Sequence, residues 1–333
     1  MPFRAVAALT RGMILTERLE AEQPRLKAAL EILRGATPDH LRRGIETIQI
    51  AIAAGEPDAS CLMAALTGDG IGVRQSWTGA LDLLLNAALA GSSAARGQLS
   101  VLAGAETADP DDANPKLWRQ LRQSVRLEDW IAPSEKRVLS RAPRIVSIEG
   151  FLSPKTCAWL IGRSHGRLEA ALLYGIQSAV PQRLEVRTNS AFEINVLDLD
   201  LVVLFVKARI ATTIGVPTGF LEPPQVLHYE VGEQFAPHRD YLDPGVPGQA
   251  ADFVRRGQRI VTFLIYLNSG FEGGETDFPV LALAYKGGAG DALYFSNVDP
   301  AGVPDPRTLH AGLPPTRGEK WLFSQWVRDR VRT

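Results

Sequence analysis

Two hydrophobic patterns divide this chain of 333 residues. Up to about residue 125, apolar residues recur at the spacing of helices that bury one face. The segment Ala51–Gly55 (AIAAG) recurs 36 residues later as Ala87–Gly91 (AALAG), and a small-residue turn and another helix rich in Leu and Ala follow each copy. A repeat of this length predicts stacked helix pairs that bury their apolar faces against one another. An Ala-rich bundle that repeats by accident is the alternative.

Beyond Ser140 the pattern changes to short β-branched and aromatic runs between Gly and Pro turns, which is typical of strands. The predicted strands are 144–148, 225–229, 259–267, 291–295 and 320–327, with helices at Pro154–Arg163 and Asp198–Ile214. Residues 105–115 indicate a linker, and an amphipathic stretch follows at 117–131. This order predicts a multidomain protein in which all-α helical repeats precede an α+β domain with a jelly-roll-like double sheet. The expected boundaries are 1–125 for the repeats, 126–143 for a connector and 144–333 for the α+β domain.

The amino-acid composition excludes some classes of binding partner. The chain has 45% hydrophobic residues, 22% charged residues and a net charge of −1, so it is expected to be globular, without a basic excess for nucleic acid or a membrane surface. Cys61 and Cys157 are expected to be reduced and buried, as in a reducing cytosol. The apolar run before Arg11 is too short for a secretory signal, and no stretch approaches the roughly 20 apolar residues that span a bilayer. We therefore expect a cytoplasmic protein of unknown oligomeric state.

His238, Asp240 and His310 are the candidate metal ligands and catalytic residues. On a strand, His238 and Asp240 share one face while Arg239 points away. With one distant histidine they can form the 2-His-1-carboxylate arrangement, which leaves positions on Fe(II) open for a chelating co-substrate and dioxygen. A structural zinc site would fill those positions with protein ligands. The His-Arg-Asp run also begins the protein-kinase catalytic loop, but Gly245 stands where that loop needs Asn.

Six motifs occur in order from residue 225 onwards. They are QVLHYE at 225–230, APHRDY at 236–241, GGET at 273–276, GDALY at 290–294, DPRTLHAG at 305–312 and GEKW at 318–321. Together with GFLSPKTC at 150–157 and Arg187-Thr188, they resemble the catalytic domain of the prolyl 4-hydroxylases, which are 2-oxoglutarate- and Fe(II)-dependent dioxygenases. The helical part, with its turn at 68–73 and the helix start at Trp77, resembles Sel1-like repeats, which are related to tetratricopeptide repeats.

The resemblance implies a double-stranded β-helix that binds Fe(II), with 2-oxoglutarate and O2 as co-substrates and ascorbate as a further candidate cofactor. Lys320 matches the basic residue that holds the far carboxylate of 2-oxoglutarate, and Tyr229 and Thr276 match positions whose hydroxyls reach the co-substrate. Strand alternation places Trp326 on the same face as Lys320, so we predict these four residues as cofactor-binding. His228 neighbours Tyr229 on its strand and is predicted to face the opposite side, as a structural or second-sphere residue.

The resemblance also implies hydroxylation of an unactivated C–H bond, most directly C4 of a prolyl residue in a peptide or protein. The segments 181–192 and 241–257 are candidates for substrate-binding loops, and 241–257 is expected to be long and weakly structured. The candidate substrate contacts are Arg187, Asn189, Ser190, Tyr241 and Arg259. The family's Arg-Thr-Ser element is Arg-Thr-Asn-Ser here, so a free amino acid, a small metabolite or another protein residue stays open as substrate. The alternative from another class is a repeat-based interaction protein whose oxygenase domain is catalytically idle. The helical repeats could recruit a macromolecule, or they could only cover the catalytic domain.

Overall fold

The computed structural model describes residues 23–331, apart from residues 36, 106–107, 172, 175–180 and 183–185. The N-terminal run considered above as a signal segment lies outside the described residues. The chain divides into two compact units. One unit ends at Ala132 and includes Asn195–Arg209, and the other holds Pro133–Ile194 and continues from Ile210. No helix in the described ranges is long and apolar enough to cross a membrane.

Consecutive helices build the first unit. Proline stands in the first turn of several of them, where its missing N–H costs no hydrogen bond. Ser76 and Ser92 cap two others by accepting hydrogen bonds from the backbone N–H groups of Gly79 and Ala95. In chain order the helices are α1 (Pro24–Leu33), α2 (Pro38–Ala53), α3 (Pro57–Asp69), α4 (Trp77–Leu89), α5 (Ser93–Leu102), α6 (Pro115–Ser124) and α7 (Leu127–Trp130).

The 36-residue offset recurs in this unit. Helices α2 and α4 end at Ala53 and Leu89, and Gly55 and Gly91 take left-handed φ angles of 80° and 104° in the turns that follow. These turns demand glycine because a side chain would be strained at such angles. Fully buried side chains repeat at the same offset, in the pairs Ile48 and Leu84, Ala51 and Ala87, and Ala59 and Ala95. The turn and these buried positions therefore both recur at an offset of 36 residues.

The second unit is built mainly of short antiparallel strands. It contains α8 (Pro154–Ser164) and α10 (Pro247–Arg256), while α9 (Leu201–Ile214) begins in the first unit and ends in the second. The strands are β1 (Arg137–Arg141), β2 (Arg144–Ile148), β3 (Glu169–Ala170), β4 (Leu173–Tyr174), β5 (Pro181–Gln182), β6 (Ser190–Glu193), β7 (Gln225–Tyr229), β8 (Phe235–His238), β9 (Arg259–Tyr266), β10 (Glu272–Gly273), β11 (Thr276–Phe278), β12 (Leu283–Tyr285), β13 (Ala292–Ser296), β14 (His310–Gly312), β15 (Pro315–Arg317) and β16 (Lys320–Arg328).

Two sheets position the functional side chains. The larger has eight strands in the order β1-β2-β13-β9-β16-β7-β6-β3, and the smaller has four in the order β12-β11-β14-β8. The pairs β10-β15 and β4-β5 form separate two-stranded ladders. The central strands β9 and β16 are buried along most of their length, and β16 includes buried polar residues as well as apolar ones. The predicted order of helices followed by a largely antiparallel β domain is confirmed.

Several expectations from the sequence need correction. The segment 241–257 is not weakly structured, because it contains helix α10. Pro247 occupies the first turn of α10, Asp252 and Arg256 form an i,i+4 ion pair within it, and Gly257 ends it at a φ of 75°. Helix α9 begins at Leu201, three residues later than expected, because a 3₁₀ turn occupies Val196–Asp198.

Two smaller expectations also differ from the structure. Strand β1 was not predicted, although it pairs with β2 from Arg137 to Arg141. Its side chains are mostly exposed because it is an edge strand, so it lacks the apolar run used to identify strands. Neither cysteine is in a disulfide, but only Cys157 is buried, whereas Cys61 is half-buried. Burial raises the pKa of the Cys157 thiol to about 12.

Candidate active site

The three predicted metal ligands meet at the junction of β8 and β14. The two strands pair so that His238 lies opposite His310, and Asp240 follows β8 by two residues. One donor atom from each side chain lies within 4.8 Å of the other two. The Nε2 atoms of His238 and His310 lie 3.7 and 3.5 Å from the carboxylate oxygens of Asp240. Among the described residues, no other group of three His, Cys, Asp or Glu side chains is placed to hold a metal ion.

Both histidine rings are oriented by the same local hydrogen bond. The Nδ1 atom of His238 lies 2.9 Å from the carbonyl oxygen of Ala236, and the Nδ1 atom of His310 lies 3.0 Å from that of Thr308. A carbonyl only accepts, so each Nδ1 carries the proton and donates. Each Nε2 is then left with a free lone pair directed towards Asp240, as a metal-binding imidazole requires.

The electrostatics of the cluster favour the protonation states that bind metal. Burial, aided by His310, lowers the pKa of His238 to about 3. Burial alone would raise the pKa of Asp240, but His310, His238 and Arg259 lower it to about 2. Neutral imidazole and ionised carboxylate are the forms that coordinate a divalent cation.

Lys320 places its ammonium group in the same cavity. It begins β16, directly opposite Tyr229 of β7. Its side chain is fully buried, and its Nζ atom has no hydrogen-bond partner among the described residues. The Nζ atom lies over the rings of Tyr229 and Tyr266, 4.9 and 5.6 Å from their centroids. Burial lowers the pKa of Lys320 to about 7, since a buried charge without a partner is costly.

The other predicted cofactor-binding residues line the same cavity. Tyr229 and Thr276 are both buried, and the hydroxyl of Thr276 lies 2.9 Å from that of Tyr266. Burial raises the pKa of Tyr229 to about 12, so its phenol is neutral. Trp326 shares the cavity face of β16 with Lys320, as alternation predicts, and its buried indole Nε1 has no hydrogen-bond partner in the described part of the chain.

Of the predicted substrate contacts, the structure brings Arg187 to the cavity. Its guanidinium is buried, lies over the ring of Phe235 at 4.6 Å, and donates from Nε to Asn189 Oδ1 at 3.2 Å. Asn189, which accepts this hydrogen bond, is fully buried. The cavity lining does not include Asn189, Ser190, Tyr241 or Arg259.

Two polar residues near the cavity have other partners. Arg259 makes two hydrogen bonds to Glu222, at 2.7 and 3.1 Å, and its guanidinium lies 3.6 Å from the ring centre of Trp326. His228 faces away from the cavity, as predicted, and its Nε2 lies 2.6 Å from a carboxylate oxygen of Glu319.

Sequence reasoning missed the residues that hold the ligands in place. Phe235 stacks on the ring of His238 with centroids 3.4 Å apart. Thr262 donates a hydrogen bond of 2.6 Å to Asp240, and Asn297 in turn donates to Thr262. One signal was available, because Thr262 is the only hydroxyl-bearing side chain among the hydrophobic residues from 260 to 265.

The residues present fit Fe(II) and an anionic co-substrate. Two neutral imidazole nitrogens and one carboxylate make the donor set that non-haem Fe(II) oxygenases use. The buried Lys320 ammonium, which lacks a partner among the described residues, supplies a binding group for a carboxylate in the same cavity.

Comparisons with known proteins agree with this geometry. The family model of the 2OG-Fe(II) oxygenase superfamily matches residues 224–328, which include all three candidate ligands and Lys320. Prolyl 4-hydroxylase 1 of Arabidopsis thaliana is 31% identical over 208 residues, which are 58% of this chain and 72% of that protein. Probable prolyl 4-hydroxylase 4 of the same plant is 32% identical over 229 residues, which are 61% of this chain and 75% of that protein.

Among solved structures, the viral collagen prolyl hydroxylase vCPH from Paramecium Bursaria Chlorella virus-1, in its 2OG complex, is 26% identical with a TM-score of 0.42. The match covers 55% of this chain and 94% of that one. From the relatives in Arabidopsis and the family match, this chain is an Fe(II)- and 2-oxoglutarate-dependent dioxygenase, and it belongs to the prolyl 4-hydroxylase family.

Proposed function

We propose that this chain hydroxylates prolyl residues of a peptide or protein, at C4 of the ring. The observation that carries the proposal is one cavity lined by His238, Asp240, His310 and the buried Lys320, whose ammonium has no hydrogen-bond partner among the described residues. The relatives that share this segment are named prolyl 4-hydroxylases, which supports the same reaction here.

We propose that His238, Asp240 and His310 hold Fe(II), and that Lys320 holds the far carboxylate of 2-oxoglutarate. When bound, Fe(II) supplies the oxidation in which one atom of O2 enters the C–H bond and the other enters succinate, as 2-oxoglutarate loses CO2. The chain's own residues bind, orient and exclude water. The carbonyls of Ala236 and Thr308 keep both Nε2 lone pairs directed at the metal position.

The apolar parts of the cavity limit water near the reacting atoms. Phe235 covers one face of the His238 ring, and Leu264 and Leu322 line the same cavity as the ligands and Lys320. In such a partly dry site, the pairing of the Lys320 ammonium with a carboxylate is stronger than it would be in water.

The substrate is the finer part of the proposal. Arg187 is a buried cation on the cavity wall and is not paired with a carboxylate in the described residues, so it can donate to a backbone carbonyl of a peptide. We propose Asn189 as its support, and Ser190, Tyr241 and Arg259 as outer contacts along the approach. Ascorbate stays a candidate cofactor, although no feature of the cavity identifies a binding position for it.

A direct test supplies the full-length chain with Fe(II), 2-oxoglutarate and O2, and compares proline-containing peptides with free proline and other amino acids. Succinate formation should rise with the peptides, and mass spectrometry should locate one added oxygen on proline. Stimulation by a free amino acid alone would replace the peptide substrate with a small molecule. Absence of any succinate from metal-loaded protein would favour an idle oxygenase domain.

Four broader features remain proposals. The eight-stranded and four-stranded sheets support a double-stranded β-helix, and the repeated turn and buried positions at an offset of 36 residues support Sel1-like repeats. The absence of a disulfide between Cys61 and Cys157 supports a reducing compartment such as the cytoplasm. For the repeats we propose recruitment of a protein substrate, because stacked helix pairs form an extended concave surface.

A further inference from the structure

A hydrogen-bond relay from the large sheet holds one oxygen of the Asp240 carboxylate. Thr262 of β9 donates from Oγ1 to Asp240 Oδ2 at 2.6 Å. Asn297, which follows β13, donates from Nδ2 to the same Thr262 oxygen at 3.0 Å. Asp240, Thr262 and Asn297 are 5%, 1% and 0% exposed, so water cannot replace these bonds.

The relay has a defined direction. A threonine hydroxyl has one hydrogen, and because Asn297 already donates to its oxygen, that hydrogen is directed at Asp240. The other amide atom, Asn297 Oδ1, is buried and has no hydrogen-bond partner in the described part of the chain. A flipped amide would present that oxygen to Thr262 and compete with Asp240 for the single hydrogen.

The backbone of Asn297 is also held in place. Its N–H donates to the carbonyl of Ile260 at 2.8 Å, and its own carbonyl accepts from the N–H of Asp305 at 3.0 Å. Since Ile260 lies two residues before Thr262 on β9, the amide and the hydroxyl are fixed by neighbouring points of one ladder.

The consequence concerns how the carboxylate binds metal. Asp240 Oδ2 already accepts a hydrogen bond, whereas Oδ1 accepts none from the residues that the structure describes and so keeps both lone pairs for a metal ion. A carboxylate that binds through one oxygen occupies one position on the metal, and with two histidines it leaves three positions open. A carboxylate free to rotate could bind through both oxygens and remove one of them.

We propose that Thr262 and Asn297 are positioning residues that make Asp240 a one-oxygen ligand and thereby keep the position for the chelating co-substrate open. This inference rests on the proposed iron site, and it adds a role for two residues that touch neither metal nor substrate. A merely structural pair would stabilise the sheets without altering metal affinity or coordination.

The test uses the full-length chain with Co(II), whose visible absorption reports coordination number, and needs no turnover. Thr262→Val keeps the side-chain shape and removes the hydroxyl, so Co(II) should bind about tenfold more weakly with an altered visible spectrum. Thr262→Ser keeps the hydroxyl and should restore both the affinity and the spectrum. Wild-type Co(II) affinity and spectrum in Thr262→Val would overturn the relay.

A second variant covers the case in which Thr262→Val fails to fold. Asn297→Ala removes the donor that directs the hydroxyl, so it should change the Co(II) spectrum in the same direction and weaken binding less than Thr262→Val does. An unchanged spectrum in Asn297→Ala would overturn the role of Asn297. Failure of the iron-site proposal gives a different result, in which the wild-type chain and His310→Ala bind Co(II) equally.

Discussion

Replacing Lys320 with methionine should stabilise the protein in the absence of 2-oxoglutarate while removing its affinity for that co-substrate. The Lys320 ammonium is fully buried and has no hydrogen-bond partner among the described residues. Methionine has a similar length, fills the same space and carries no charge to desolvate. A residue kept for stability would give the opposite result, because its removal would cost free energy.

The magnitude follows from the pKa of Lys320, which burial lowers from 10.5 to about 7. Between these two pH values the unfolded chain binds a proton that the folded protein does not, so the free energy of unfolding rises with pH across this window. At about 1.36 kcal/mol per pKa unit, the buried charge costs about 5 kcal/mol at pH 6 and about 2 kcal/mol at pH 9. Lys320→Met should therefore gain about 3 kcal/mol more at pH 6 than at pH 9.

The assay is urea denaturation of both proteins at pH 6 and pH 9, without metal or 2-oxoglutarate. Lys286→Met is the matched control, because Lys286 is exposed and donates to the carbonyl of Phe271 at 2.7 Å, so no stabilisation is expected. Calorimetric titration of the Co(II)-loaded proteins should show 2-oxoglutarate binding to Lys320→Met weakened about ten- to a hundredfold. A gain in stability that is equal at the two pH values, or a loss at pH 6, would refute the assignment of a buried, unpaired charge.

Three further predictions test other parts of the structure. His310→Ala should abolish Co(II) binding at the cluster while His228→Ala retains it, and calorimetry showing the reverse would refute the ligand assignment. Arg328→Met should lower the free energy of unfolding by about 3 kcal/mol in urea denaturation, because Arg328 is 2% exposed and donates hydrogen bonds to both Glu222 and Asp252. A loss under about 1 kcal/mol would show that these ion pairs contribute no net stability. A fragment beginning at Pro133 should aggregate in size-exclusion chromatography, because it keeps residues 195–209 without the rest of their unit; a monomeric, folded fragment would contradict this.

The sequence predicted those parts of the fold that depend on local pattern. Helix starts at Pro154 and Trp77 could be predicted because proline, serine caps and apolar spacing act within one turn. The sequence could not predict that residues 195–209 belong to the helical unit, although Leu201, Val202 and Phe205 are fully buried there. An apolar helix is compatible with burial against any apolar partner, so its sequence does not say which unit it joins.

Helix α10 was not predicted from the sequence for a different reason. The segment 241–257 contains Asp, Pro and Gly residues ahead of the helix, which together indicate a loop. What stabilises it lies elsewhere in the chain, because Arg328 of β16 pairs with Asp252 and also donates to the carbonyl of Gly257. The local signals at its ends, Pro247 in the first turn and Gly257 after the last turn, are also compatible with a loop, so the sequence alone did not decide between the two.

The residues of the candidate site also differ in whether the sequence alone could predict them. Alternation along β8 is local, so it put His238 and Asp240 on one face without any knowledge of the fold. The partnership with His310 depends on the pairing of β14 with β8, and it could be anticipated only through resemblance to a known family. Thr262 reaches Asp240 from a third strand, through a register that no motif records. Residues that bind the metal can therefore be predicted from spacing and resemblance, whereas residues that decide how each ligand binds emerge only when the sheets are assembled.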